Sequence, residues 1–163
     1  MYPSFLPATV AQLTEFTSTE LAKKIQRQPI LTPLRSDAIA TAFVQQGVGN
    51  PPILLLHGFD SSVFEFRRLQ PLLAANHATW NLDLLGFGFT DRPTDIPFTP
   101  AAIKTHLYCT WKTLINQPMV LVGASMGGAA AIDFALTYPE AVKQLILIDS
   151  AGFAAGPEVG KFL

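Results

Sequence analysis

The chain has 163 residues, 49% hydrophobic and 14% charged, with a formal net charge of −1. That size suits one domain, and that composition can bury a core, which excludes a disordered polar segment. No Lys/Arg cluster offers a nucleic-acid footprint, no apolar run approaches the ~18 residues of a membrane span, and the single cysteine, Cys109, makes neither an internal disulfide nor a thiolate metal cage.

Met1 to Val10 lacks a basic run followed by an apolar stretch, so no signal peptide is read and a cytoplasmic protein is expected. Thr9 to Gln28 reads as an amphipathic helix, with Leu13, Phe16, Leu21 and Ile25 at near-helical spacing and Pro29 and Pro33 ending it. Residues 1–36 are thus expected to form an accessory lead-in, and 37–163 the main domain. Ala38 to Gln45 reads as a strand, followed by turn chemistry in QGVGNPP. Ile53 to Leu56 is a continuous apolar run, the mark of a strand buried on both faces of a parallel sheet. Phe66, Leu69, Leu72 and Leu73 outline a helix, and Ser62 with Glu65 three residues on forms a capping box at its start.

Ala78 to Leu84 is the next strand, leading into GFGFTDRP. Thr99 and Pro100 make an N-cap and first-turn pair for a helix carrying Ile103, Leu107, Trp111 and Leu114. Met119 to Val122 is a short strand, Gly127 to Tyr138 an alanine-rich helix stopped by Pro139, and Gln144 to Ile148 a last buried strand. Strands alternating with helices imply an α/β fold with a mostly parallel sheet flanked by helices. Cys109, inside this pattern, reads as a small core residue rather than a reactive thiol.

Gly123, Ser125 and Gly127 form G-x-S-x-G. Three fixed residues at roughly 7% each recur by chance in about one chain in twenty of this length, so the context decides. A strand precedes the motif and a helix follows it, as a nucleophile elbow requires. The sharp turn forces the serine into a rarely populated backbone conformation, and the close approach of strand and helix tolerates only hydrogen at the flanking positions. His57-Gly58-Phe59 ends an earlier strand. An acyl-transfer intermediate needs N–H donors aimed at its oxyanion; the N–H just after the nucleophile, that of Met126, can give one, and the loop after the earlier strand, through Phe59 N–H, can give the other.

HGFDSS, DLLGFGFTDRP, GASMGG and QLILIDSAGF, in this order between about Asp37 and Gly152, resemble stretches of the α/β-hydrolase superfamily, closest to its cap-bearing branch of C–C bond hydrolases, esterases and haloperoxidase-like enzymes. The resemblance implies Ser125 as nucleophile, Phe59 and Met126 as oxyanion hole, a small-molecule substrate and no cofactor or metal. Serine at the elbow argues against the aspartate-dependent epoxide-hydrolase and dehalogenase branches. Some members place the acid directly after the strand matched by Gln144 to Ile148, which would make it Asp149. Asp83 and Asp91 read as loop-fixing residues, and Asp133 as a helix residue meeting solvent or a helix partner. Gly86 and Gly88 lack a third glycine and a ribose-binding acid, so no dinucleotide site is read.

A serine hydroxyl needs a base, and the family order is Ser, acid, His. No histidine follows Ser125; His57, His77 and His106 precede it. His57 reads as shaping the HG turn, His77 as solvated, and His106 as a paired or exposed helix residue. The chain ends in AAGPEVGKFL where the family has a cap and further strands. The expectation is therefore the N-terminal part of a serine hydrolase of esters, thioesters or activated C–C bonds, truncated, inactive alone, and able to associate through an exposed sheet edge. The alternatives are a degenerate, non-catalytic fold that binds a ligand or partner, and an acyltransferase or lyase on the same scaffold.

Overall fold

A computed structural model describes residues 1–152; the AAGPEVGKFL stretch lies outside them. Six strands form one sheet in the order β1-β2-β4-β3-β5-β6. They are β1 (Gln26–Ile30), β2 (Ile39–Gln46), β3 (Ile53–Leu56), β4 (Thr79–Leu82), β5 (Met119–Ala124) and β6 (Val142–Ile148). β1 and β2 pair antiparallel, as do β2 and β4, while the β4-β3-β5-β6 portion is parallel. Four α-helices accompany them: α1 (Phe16–Ala22), α2 (Leu69–Leu73), α3 (Pro100–Leu114) and α4 (Met126–Thr137).

The β3-to-β4 connection through α2 and the β4-to-β5 connection through α3 run in opposite directions across the sheet, and the fixed hand of parallel crossovers sends such helices to opposite faces. The burial follows. Leu54, Leu56 and Leu82 pack with Leu107 and Trp111 of α3 and Ala131 and Phe134 of α4. Ile53, Leu55, Val120 and Val122, alternating with them, pack with Phe66, Leu69 and Leu73 around α2. Both faces of β3 are thereby covered, which is why its sequence shows no polar alternation. α3 begins where the sequence places its cap: the Thr99 hydroxyl accepts the Ala102 N–H at 3.2 Å, with Pro100 in the first turn. No described helix is long and apolar enough to cross a membrane.

Two expectations are corrected. The helix read over Thr9 to Gln28 is a 3-10 turn at Ala8–Gln12 and the short α1. Gln26 to Ile30 is instead an edge strand of the main sheet, paired residue for residue with Ile39 to Phe43. Pro29 fits there because an edge strand can spare one N–H. Leu21 and Ile25 are buried with Leu6, Ala42 and Val44, but Phe16, read as part of the same stripe, is 77% exposed. The capping box is the second correction. The Ser62 hydroxyl caps Phe64 N–H, at the start of a 3-10 turn (Val63–Phe66) rather than an α-helix, and the Glu65 carboxylate reaches Gly58 N–H.

Candidate active site

The carboxyl ends of β3, β4 and β5 carry His57, Asp83 and Ser125 respectively, at the edge where parallel α/β sheets bind ligands. Ser125 caps α4 with φ 49° and ψ −117°, a strained conformation for a residue with a Cβ. Its side chain is exposed although both its neighbours are buried. The strain is held from several sides. Ser125 N–H donates to Ile148 C=O at 3.1 Å, and Ser125 C=O accepts from Gly128 N–H and Ala151 N–H, each at 3.0 Å. A Cβ at Gly123 would strike the Gly127 carbonyl, and one at Gly127 would strike the Leu56 and His57 carbonyls. Only hydrogen at both positions lets the elbow lie on the sheet.

Gly58 lies against the elbow: a Cβ there would stand 3.3 Å from Ser125 Cβ. Among the described residues, no hydrogen bond takes up the N–H of Phe59 or of Met126. Phe59 is 68% exposed, while Met126 is buried at the first position of α4. The loop after β3 and the N-terminus of α4 thus each bring an N–H with no hydrogen bond among the described residues to the neighbourhood of the elbow, and the helix dipole favours negative charge at the second.

His57 is buried, with Nδ1 2.7 Å from Gly58 C=O and Nε2 accepting Leu84 N–H at 3.1 Å. Leu84 N–H can only donate, so Nε2 is the bare nitrogen and Nδ1–H donates to Gly58. Burial pushes its pKa below the ordinary imidazole value. Asp83 fixes the glycine-rich loop: its carboxylate accepts Val63 N–H at 2.6 Å and Phe89 N–H at 2.7 Å. A Cβ at Gly88 would collide with that carboxylate. Burial raises the Asp83 pKa to about 6 against the pull of those two donors. Asp91 ties the same loop to β2, accepting Ala40 N–H at 3.3 Å.

The other candidates lie elsewhere. His106 is buried on α3, where Nε2 meets the Thr41 hydroxyl at 2.7 Å. That hydroxyl donates to Ile39 C=O, so it accepts from Nε2–H, and Nδ1 is left without a partner. Burial lowers its pKa to about 4. His77 is half-buried on Pro51 C=O. Asp149 is exposed, at φ 46°, in the turn that grips the Ser125 backbone. Asp133 meets a helix partner, Lys104, at 2.9 Å.

A cleft of about 430 Å³ opens beside the elbow, lined by Phe59, Phe87, Phe98, Ile103, Met126 and Ala129, with Lys104 and Asp133 also on its wall. Phe59 and Met126 belong both to this wall and to the pair of free amides. Neither the cleft nor the Glu65–Gly58 bond was read from sequence. The spacing of Pro100, Ile103 and Lys104 on α3 marks one cleft wall in retrospect; nothing local marks the Glu65 bond.

The model of the alpha/beta hydrolase fold matches residues 51–162. The chain belongs to the alpha/beta hydrolase fold family. Among relatives in this family, the alpha/beta hydrolase domain-containing protein VTE7 of Arabidopsis thaliana is 38% identical over 161 residues, 95% of this chain and 49% of the relative. The (lyso)-N-acylphosphatidylethanolamine lipase of Mus musculus is 36% identical over 110 residues, 65% of this chain and 32% of the lipase. A solved structure of a thermophilic esterase from Thermogutta terrifontis superposes with a TM-score of 0.73 at 30% identity, over 82% of this chain and 48% of the esterase. The chain spans about half, or less, of the length of these family members.

Proposed function

We propose that this chain carries the nucleophile half of a serine hydrolase acting on an ester, thioester or activated C–C bond of a small, largely apolar molecule. The observation that carries the reading is the exposed Ser125 at φ 49°, on an elbow whose following residue, Met126, and the nearby Phe59 each have an N–H with no hydrogen bond among the described residues. In this reading Ser125 Oγ adds to the substrate carbonyl carbon and gives its proton to a base. The carbonyl oxygen takes the negative charge between Phe59 N–H and Met126 N–H, a placement in which one lost donor costs about 3 kcal/mol. The bond to the leaving group breaks as the base returns the proton to it. Water then repeats the sequence to release the acid. The apolar cleft supports a hydrophobic acyl or leaving group, and similarity to a lipase and an esterase supports the reaction class.

The base is the absent part. His57 has both nitrogens engaged, His106 is buried under β2, and His77 sits on Pro51. Asp149 is proposed as the acid only because it follows β6. The 163-residue chain alone is therefore expected to react with a fluorophosphonate slowly, and added imidazole is expected to accelerate the labelling. Labelling that survives Ser125→Ala would sink the nucleophile assignment. Rapid Ser125 labelling without imidazole would show that the chain supplies its own base. A second reading, binding without turnover, is favoured by each of the three histidines being held through at least one ring nitrogen by a group other than Ser125; it predicts that imidazole has no effect.

A further inference from the structure

Gly58 poses a mechanical problem. A Cβ there would crowd Ser125 at 3.3 Å, which favours glycine, yet glycine is the residue least able to hold a backbone conformation. It immediately precedes Phe59, whose N–H must hold one direction to act as an oxyanion donor. Both peptide planes that meet at Gly58 are pinned by side chains. Gly58 N–H, in the plane shared with His57, donates to Glu65 Oε2 at 2.8 Å. Gly58 C=O, in the plane shared with Phe59, accepts from His57 Nδ1–H at 2.7 Å. In a trans peptide the C=O and the following N–H point in opposite directions, so pulling Gly58 C=O inward turns Phe59 N–H outward.

Glu65 has a rigid mount. It stands in the Val63–Phe66 turn, whose first residue gives its N–H to Asp83 and accepts from Asn81 Nδ2, each at 2.6 Å. Its own N–H closes on Ser62 C=O at 2.9 Å. The charge-assisted bond to Gly58 is the stronger kind, and it fixes the plane that His57 does not.

We infer that Glu65 is a positioning residue: it clamps Gly58 so that Phe59 N–H faces the serine. The inference rests on the reading of Ser125 as nucleophile. Its test compares the wild-type chain with Glu65→Gln, Glu65→Ala and Glu65→Asp. One measurement is the rate of Ser125 modification by a fluorophosphonate with imidazole present, followed by intact mass. The other is the amide spectrum of the ¹⁵N-labelled chain. Glu65→Gln keeps an acceptor at the same reach and should label within about threefold of wild type. Glu65→Ala should label about tenfold more slowly or worse, as expected for a misdirected oxyanion donor. Glu65→Asp keeps the charge but falls a methylene short, so it should lose rate like Glu65→Ala while its thermal midpoint stays near wild type. This covers the case in which Glu65→Ala unfolds the turn. In the Asp and Ala variants the Gly58 amide should move upfield and the Phe59 amide broaden; in Glu65→Gln the Gly58 amide should move upfield by less, as the bond loses its charge, and the Phe59 amide should stay in place. The clamp is wrong if Glu65→Asp labels at the wild-type rate, or if its Phe59 amide is unchanged. A wild-type chain that takes no label even with imidazole overturns the nucleophile reading, and the purpose of the clamp with it.

Discussion

The backbone of Ser125 carries a strain that a side chain cannot relieve and that glycine can. Ser125→Gly is therefore expected to stabilise the chain by about 1 kcal/mol relative to Ser125→Ala, measured by urea unfolding. Equal stability of the two variants would place the strain elsewhere. Two buried residues pull the pH response in opposite directions. His106 has a folded pKa of about 4 against an ordinary 6.5, so the unfolded chain takes the proton first and stability is lost as pH falls from 6.5 toward 4. Asp83 runs the other way: its folded pKa of about 6 lies above 3.8, so its contribution is full below 3.8 and is lost as pH rises through 6. These two slopes oppose each other; His57, also lowered by burial, adds to that of His106, so the wild-type urea midpoint should rise only gently between about pH 4 and 6. Asp83→Asn removes one slope and leaves those of His106 and His57, both lowered by burial. Its midpoint should rise with pH more steeply than that of the wild type across that window, whatever its overall loss of stability; a profile parallel to the wild type's would mean that Asp83 does not titrate there.

At the scale of elements, the parts that announced themselves in sequence are those whose ends are set locally. α3 is the clearest case, because Thr99, Pro100 and the Ile103–Leu107–Trp111 stripe each specify the same helix. Thr99→Ala should cost about 1 kcal/mol in urea unfolding, and a null effect would show that Pro100 alone starts the helix. β3 and β5 were legible from unbroken apolar runs, and the elbow from glycines whose necessity the collisions at Gly123 and Gly127 explain. The N-terminal segment was misread because Leu21 and Ile25 are buried by different means, one on a helix and one just before a strand. Periodicity cannot tell a helical stripe from two elements that happen to keep its spacing. Glu65 was misread for a related reason. A Ser-x-x-Glu pattern invites a local capping bond, whereas the carboxylate spends its acceptor on Gly58, a contact made only after the loop folds back. The cleft was not legible at all, since its walls come from the loops after β3 and β4 and from α3 and α4.

Over the whole molecule, the sheet leaves β6 with no neighbour on its outer side among the described residues. Leu145 and Leu147 pack on the core, but Ile146 and Ile148 are 40% and 41% exposed. An apolar edge of this kind pairs readily with another. Self-association of the chain is expected, detectable as concentration-dependent sedimentation, and Ile146→Lys should reduce it while Leu136→Lys, on the exposed face of α4, should not. Equal effects of the two would assign the association to general stickiness. β6 also has a bearing on the order of events during synthesis. Ser125 N–H is held by Ile148, and Ser125 C=O by Ala151, both of which leave the ribosome after the elbow itself. Until that later strand docks beside β5, the turn lacks two of the bonds that keep its serine at a positive φ. A nascent chain halted near Tyr138 should therefore carry the whole G-x-S-x-G sequence on a relaxed turn, with the nucleophile's geometry arriving only when translation has passed the 149–151 turn.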